Sequence, residues 1–445
     1  MSARKLAAAA LLTAALAGPA SAQLPPAPLP LGGGAGAGPP PMGPIAPGLP
    51  PGADYAPPGM GYPAGGYMAG GGCPPGALDD VGQIRGPKAW IGAEYVVYWT
   101  KNLSVPPLAT GGPAGGFALL GAAGTTTVLG DDEFDFREQH GFRILGGFWL
   151  TDSISVEGSV FYLPSKDQSF APVTATINQP TLARPFYDAN LRTQNVRLLS
   201  RPNTFSGSIS SDATIGLWGA EIGGVLRAIE RGPWTIDGML GFKHLSLEES
   251  LTINDSATAL ALGVANFNGV GYRTGATTVV QDYFSTANRI YAVMLGSRLN
   301  LHMDAFTLSL TSKVSLGVNS QSVSADGSTH LIGPFPAATK VGGGLLAVGP
   351  NVGKSTRSEF AYVPELNLNL TAQLTPHLTL SFGYNFLYIG SAVRPGDQLA
   401  SPVNPVYVPT STSFGGRFGP VTPTADFNTS SFWAHGLNLG LTLGF

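Results

Sequence analysis

The chain has 445 residues, of which 43% are hydrophobic and only 11% are charged. An ordinary globular protein carries about 25% charged residues, so this deficit favours a protein whose outer surface faces lipid. The 24 basic and 27 acidic residues leave a net charge of −3. This balance offers no attraction to nucleic acid, and we predict no nucleic-acid partner.

The first 22 residues predict a secretory signal peptide. Arg4 and Lys5 precede an apolar run over 6–16, and Ala20-Ser21-Ala22 supplies small residues for cleavage. The apolar run is too short to span a membrane as a helix, and no run of about 18 apolar residues follows it. We therefore expect export across the inner membrane and no transmembrane helix.

Residues 23–84 predict a disordered periplasmic linker, because they are rich in Pro and Gly and poor in charge and aliphatic bulk. The linker could tether the protein to the cell wall or to a periplasmic partner, although a plain spacer is the simpler interpretation. Its lone Cys73 has no partner for an intrachain disulfide.

From residue 85 onward, alternating hydrophobicity predicts an all-β transmembrane antiparallel β-barrel. Four short connections, at 151–153, 230–233, 302–305 and 375–377, alternate with long ones. This alternation is typical of outer-membrane barrels, which have tight periplasmic turns and long outer loops. We expect about ten strands, or twelve if the segments 164–212 and 247–284 hide another hairpin. These segments could instead extend strands above the membrane. The predicted strands are 88–100, 141–150, 154–163, 213–229, 234–246, 285–301, 306–318, 358–374, 378–390 and 432–445.

The last predicted strand has one wholly apolar face and one small polar face, and it ends on an aromatic residue. This pattern is typical of the strand that closes an outer-membrane barrel. We therefore expect outer-membrane lipid and the outer-membrane assembly machinery as partners. The residues of this C-terminal signal are Leu437, Leu439, Leu441, Leu443 and Phe445.

Assignment of faces by the two-residue period places five acidic and five basic residues in the lumen. Unpaired charges in a narrow interior are costly, so we expect ion pairs and a plugged or weakly conducting lumen. A polar path for small solutes is the alternative. The predicted lumen charges are Glu94, Arg143, Glu157, Glu221, Arg227, Asp237, Lys243, Arg298, Lys313 and Glu365.

All six tryptophans fall in predicted strands, five of them near strand ends, which predicts aromatic girdles at both membrane interfaces. They are Trp90, Trp99, Trp149, Trp218, Trp234 and Trp433.

No catalytic site, metal site or cofactor site is predicted, because the six histidines lack ligand spacing and no nucleophile motif is present. A protease-like pair at the barrel rim is a remote alternative. It would use Asp131 or Asp132 with His140. We expect that the protein is not an enzyme.

Several short motifs resemble those of the planctomycetal beta-barrel porin family that is number seven in its series. The resemblance covers about 90–445 and implies an outer-membrane barrel from a planctomycete-like bacterium, with no substrate specified. The motifs begin at Glu94, Gly141, Glu157, Gly343, Pro364, Gly383 and Val393, the last reading Val393-Arg394-Pro395-Gly396-Asp397-Gln398.

Two functions remain open from the sequence. The first is a porin-like barrel that acts as a narrow passive pore for small solutes. The second is a structural or adhesive barrel with a plugged lumen that presents long surface loops.

Overall fold

The structure is a computed structural model that describes residues 77–78, 84–85, 87–262, 265–333, 339–399 and 402–445. The predicted signal peptide and nearly all of the predicted linker lie outside the described residues, apart from a two-residue pairing of Ala77–Leu78 with Ile84–Arg85. In the described part of the chain, no helix is long and apolar enough to cross a membrane.

Ten long antiparallel strands form one sheet that closes on itself. They are β1 (Ala89–Thr100), β2 (Glu138–Trp149), β3 (Ile154–Thr174), β4 (Phe205–Arg231), β5 (Trp234–Ala259), β6 (Thr277–Met303), β7 (Phe306–Ile332), β8 (Gly353–Thr375), β9 (Leu378–Val393) and β10 (Thr429–Gly444).

Each strand pairs with its neighbour in the chain, and the ring closes where β10 pairs with β1, from Ala434↔Thr100 to Gly444↔Trp90. The prediction of a ten-stranded antiparallel barrel is confirmed. The segments 164–212 and 247–284 supply strand extensions and a hairpin outside the ring, so no further pair of barrel strands is found among the described residues.

Several strands are much longer than a membrane crossing requires. On the outer face of β5, Trp234, Ile236, Leu240 and Phe242 are exposed apolar residues, whereas Glu248 further along is exposed and charged. The ten residue steps from Trp234 to His244 cover roughly 25 Å of membrane thickness at a strand tilt of about 40°. The remainder of β5 therefore rises above the bilayer as a water-facing wall.

An aromatic girdle marks the outer edge of this apolar band. The His244 ring lies 4.7 Å from Trp218 and 4.7 Å from Tyr291, measured between ring centroids on three adjacent strands. Aromatic residues with a polar edge favour the boundary between lipid tails and headgroups. The girdle and the short turns together orient the barrel, since outer-membrane barrels keep short turns on the periplasmic side.

Two tryptophans do not belong to a girdle, which corrects the expectation from the sequence. Trp90 is only 3% exposed, and its ring lies 6.2 Å from that of Trp149 inside the periplasmic end of the barrel. The physical reason is strand parity, because Trp90 shares its face with Glu94 and Trp149 shares its face with Arg143. The Arg227 guanidinium lies 4.9 Å above the Trp149 ring and completes this cluster.

The long connections fold into a cap at the outer end, which we define as the described parts of 101–137, 175–204, 260–276, 333–352 and 394–428. A four-stranded sheet lies within it, in the order Thr193–Ser200, Thr181–Asp188, Ala109–Gly112 and Thr126–Leu129. The remaining short elements are Leu103–Val105, Asp132–Phe134, Asn266–Phe267, Val270–Gly271, Thr339–Gly342 and the 3₁₀ turns Gly349–Asn351, Pro395–Gln398 and Pro405–Tyr407.

Candidate functional site in the barrel lumen

Four predicted lumen charges meet at mid-height of the barrel. Lys313 Nζ lies 2.6 Å from Glu221 Oε1 and 3.7 Å from Glu365 Oε2. Lys243 Nζ lies 3.0 Å from Glu221 Oε2 and 2.6 Å from Glu365 Oε1. Two acids and two bases from four different strands therefore neutralise each other across the lumen.

A second cluster joins β1, β2 and β9. Arg143 Nη1 donates to Glu94 Oε2 at 3.0 Å and to Asn385 Oδ1 at 3.2 Å, while Arg143 Nη2 donates to the Tyr98 hydroxyl at 3.1 Å. Asn385 in turn donates to Asn438 Oδ1 at 2.8 Å. The Arg143 guanidinium therefore donates these hydrogen bonds to groups inside the protein.

Nearer the periplasm, Arg298 binds Glu157 through both guanidinium nitrogens, at 3.0 and 2.6 Å. The two-pronged geometry makes this the strongest type of ion pair. Asp237 faces Arg298 in the strand register and accepts from Asn300 Nδ2 at 3.1 Å. Arg227 turns toward the periplasmic mouth, where its nearest ion-pair partner is Glu230 at 4.0 Å.

These charges line a small cavity of about 120 Å³ in the periplasmic half of the lumen. A space of this size holds several water molecules beside polar walls. Glu94, Glu157, Glu221, Arg298 and Lys313 all contribute to its lining. The structure therefore brings most of the predicted lumen charges to one compartment.

Above this compartment the lumen is filled by apolar side chains, a feature that the sequence reasoning did not identify. Along the inner face of most strands, the residues near mid-height are charged, whereas those nearer the outer end are buried and hydrophobic. The two-residue period that places the charged residues in the lumen also places these hydrophobic residues there, so the sequence contained the information. The residues that fill the outer lumen include Val96, Phe161, Leu163, Leu217, Leu245, Leu247, Ile290, Val363, Leu387, Ile389 and Phe432.

The outer end of β9 bends across the lumen and narrows it further. Pairing of β9 with β8 stops at Glu365↔Leu387, and the pairing with β10 shifts register between Ile389 and Ala392. Beyond that shift, Val393 exchanges two hydrogen bonds with the Asn288 amide on β6, at 2.8 and 2.9 Å. The end of β9 thereby crosses the lumen to β6, which lies three positions away in the ring.

The segment after β9 continues this closure with an ion pair. Arg394 Nη2 lies 2.6 Å from Glu249 Oε1 on β5. Arg394 Nε also donates to both Glu249 carboxylate oxygens, at 3.1 and 3.0 Å. Nη1 donates to the carbonyl oxygen of Asn102 at 2.7 Å, and Nη2 donates in addition to the carbonyl oxygen of Lys101 at 3.1 Å. Its guanidinium lies 5.5 Å above the Phe432 ring, so it also packs on the apolar plug. We define the plug as the outer-lumen hydrophobic residues given above together with 391–398.

A further ionic cluster joins the cap to the parts of β5 and β6 that rise above the bilayer. Arg184 lies 2.8 Å from Asp255 and 2.8 Å from Asp282, and all three side chains are at most 1% exposed. Burial alone would lower the pKa of the Arg184 guanidinium, but Asp282 and Asp255 raise it above its ordinary value. Asp282 Oδ1 also accepts from the backbone N–H groups of 345–347 at 2.8–2.9 Å.

Within the Arg394-Pro395-Gly396-Asp397 motif, the structure buries Arg394 against Glu249 inside the barrel mouth, where its guanidinium also donates to backbone carbonyls. Asp397 accepts from the Ser430 hydroxyl at 2.7 Å.

The residues of the predicted C-terminal signal all point outward toward the membrane, four of them on β10 and the last directly after its end. They are Leu437, Leu439, Leu441, Leu443 and Phe445.

Among the described side chains of the remote protease alternative, His140 and Asp131 lie in different elements, and no hydrogen bond joins them. His140 lies on the outer surface of β2, where its Nδ1 is 2.6 Å from the Tyr95 hydroxyl. Asp131 sits in the cap with a positive φ of 56°. The described residues contain no cluster of three or more His, Cys, Asp or Glu side chains that could hold a metal ion.

Residues 90–445, which include the whole barrel from Trp90 onward and the cap, match a known protein family. The family described as "Putative beta barrel porin-7 (BBP7)" matches residues 90–445. The chain belongs to this family. Its membership of BBP7, its closed ten-stranded barrel and its lipid-facing apolar band together make it an outer-membrane β-barrel protein. No curated protein matches the chain.

Solved structures give only a distant likeness to this BBP7 member. The outer membrane protease OmpT from Escherichia coli is 8% identical, with 81% of this chain and 97% of that chain covered and a TM-score of 0.35. A FadL homologue of Pseudomonas aeruginosa is 10% identical, with 86% and 97% covered and a TM-score of 0.19. At TM-scores this low, neither likeness bears on function.

Proposed function

We propose that this BBP7 barrel is a sealed outer-membrane anchor that presents a folded cap at the cell surface, without enzymatic activity. The observation that carries this proposal is the plug. Its side chains come from strands on all sides of the barrel and are buried against one another and against the cap. Protein interiors packed in this way leave no path wider than a water molecule.

A narrow passive pore is the second candidate, and the polar cavity of about 120 Å³ favours it. In that case the cavity would form the inner half of a channel, and displacement of 391–398 would open the outer half. Ten strands lie close to the eight-stranded barrels whose interior is filled by side chains, and far from the ~16–18 strands of open porins. Barrel size therefore favours the sealed form.

A liposome-swelling assay tests the proposal. Proteoliposomes that contain the refolded protein are diluted into isotonic solutions of small neutral solutes, and the turbidity is followed. We expect swelling no faster than in protein-free liposomes. Swelling whose rate falls with solute size would support the passive pore and contradict the sealed anchor.

A further inference from the structure

The cap contains a pocket of about 420 Å³ that is separate from the lumen. It lies between the hairpin of Thr181–Asp188 with Thr193–Ser200, the segment 265–272 and the segment 405–418. This volume falls within the range of about 300–1,000 Å³ that is typical of small-molecule sites.

Aromatic rings form much of the pocket wall. Phe186 and Tyr272 are buried at its base, and Phe418 stands beside it with 57% of its surface exposed. A large exposed aromatic side chain next to a concave pocket offers a flat apolar face to a ligand.

The charged residues that line the pocket are held by partners inside the protein. Asp188 accepts from the backbone N–H groups of Asn190 and Leu191 and from Asn195 Nδ2, at 2.9, 3.0 and 3.0 Å. Arg197 binds Asp255 at 2.9 Å and the Thr278 hydroxyl at 3.0 Å. A charged ligand would therefore compete with partners that these two residues already have.

Several neutral polar side chains of the pocket have unused hydrogen-bonding capacity. The side chains of Asn266, Thr410 and Thr412 make no hydrogen bond to any described residue, and all three line the pocket. Amides and hydroxyls both donate and accept, which suits a partner that carries hydroxyl groups.

We propose that this pocket binds a neutral carbohydrate unit, with its apolar C–H face against Phe418 and its hydroxyl groups on Asn266 and the hydroxyls of 410–413. The ligand class follows from three features in one place: aromatic faces, free neutral donors and acceptors, and charged side chains that are already hydrogen-bonded within the protein. The inference rests on the proposed function in one respect, since it requires the cap to face outward.

The test uses the full-length protein in lipid nanodiscs, probed with an array of immobilised neutral, sialylated and sulfated oligosaccharides. We expect binding to neutral glycans. We expect Phe418→Ala and Thr412→Ala each to weaken it by about tenfold, because truncation of contact residues at small sites has effects of this order. Phe117→Ala is the matched control, since Phe117 is 52% exposed on the cap but does not line the pocket.

Absence of neutral-glycan binding by folded protein would overturn the proposal, as would binding that only sialylated or sulfated glycans support. Equal binding by the wild type and Phe418→Ala would overturn the assigned site. Channel measurements decide the sealed-barrel proposal independently, because a conducting barrel could still bind glycans and a silent barrel could fail to bind them.

Discussion

Arg394 and Glu249 are 145 positions apart in the chain, yet they form an ion pair of 2.6 Å whose two side chains are 3% and 0% exposed. The pair joins the segment after β9 to the inner face of β5. It therefore connects the plug to the far wall of the barrel, and it fixes the position of 391–398 inside the mouth.

Replacement of Arg394 by Ala should loosen the plug, because it leaves the Glu249 carboxylate buried without its partner. Loss of one member of a buried pair typically costs about 3–5 kcal/mol. The free energy of unfolding, measured by urea titration of the refolded protein in vesicles, should fall by roughly this amount.

The adjacent pair of Arg289 with Glu248 is a matched control, with a similar separation of 2.7 Å but side chains 46% and 55% exposed. Exposed pairs contribute about 0–1 kcal/mol, so Arg289→Ala should change little. Equal effects of the two substitutions would show that Arg394 does not hold the plug.

The mid-lumen network should show strong energetic coupling. A double-mutant cycle with Lys243→Met and Glu365→Gln should give an interaction free energy of about 0.5–3 kcal/mol, because the two side chains share a buried contact of 2.6 Å. The exposed pair of Arg357 with Glu359, at 3.6 Å, should give about 0–1 kcal/mol. Additive effects at the lumen pair would mean that these charges do not interact in the membrane.

Gly396 should tolerate no side chain. A Cβ at this buried position would overlap the carbonyl oxygen of Ser104, whereas a Cβ at Gly342 would meet no atom within 4 Å. Gly396→Ala should therefore lower the unfolding free energy by about 1–3 kcal/mol through overpacking. Gly342→Ala should leave it unchanged. A stable Gly396→Ala protein would show that the backbone there has room to move.

The tryptophans should separate into lipid-facing and lumen-facing groups. In variants that retain a single tryptophan, Trp234 should be quenched by lipids brominated on their acyl chains, because it is 43% exposed on the outer face. Trp90, which is 3% exposed inside the barrel, should be shielded. Strong quenching of Trp90 would contradict its inward orientation.

The strand count and the closing strand followed from the sequence because a two-residue period is imposed directly by strand geometry. Each predicted strand overlaps one strand of the structure, and the predicted first residues 154, 234, 306 and 378 match the first residues of β3, β5, β7 and β9. The sequence left open whether 164–212 and 247–284 extend strands above the membrane, because the outer faces of such extensions become polar above the bilayer, as at Glu248 on β5. The continuous apolar outer face that identifies a membrane-spanning strand is then absent from the sequence.

The partners of the lumen charges could be predicted only in part. Parity places Lys313 and Glu221 on inner faces, but they meet across the barrel from β7 and β4, which the sequence does not show to be close. A plugged lumen was predicted from the ion pairs, but the apolar side chains that form the plug were missed for a related reason. Buried hydrophobic residues such as Leu217 and Ile290 resemble ordinary strand residues until the closed ring shows that they face each other.

Arg394 was the least predictable element. Its motif with Pro395, Gly396 and Asp397 indicates a turn from local chemistry alone. Its burial depends on the bend of β9 after Ile389 and on Glu249, neither of which lies near it in the chain.

Single-channel recording in a planar lipid bilayer tests the sealed barrel most directly. Refolded wild-type protein, shown to be inserted, should give no discrete current steps, whereas Arg394→Ala should give intermittent openings as the plug loosens. Discrete steps from the wild-type protein that scale with salt concentration would contradict the account, and would make the charged cavity the inner part of a conducting pore.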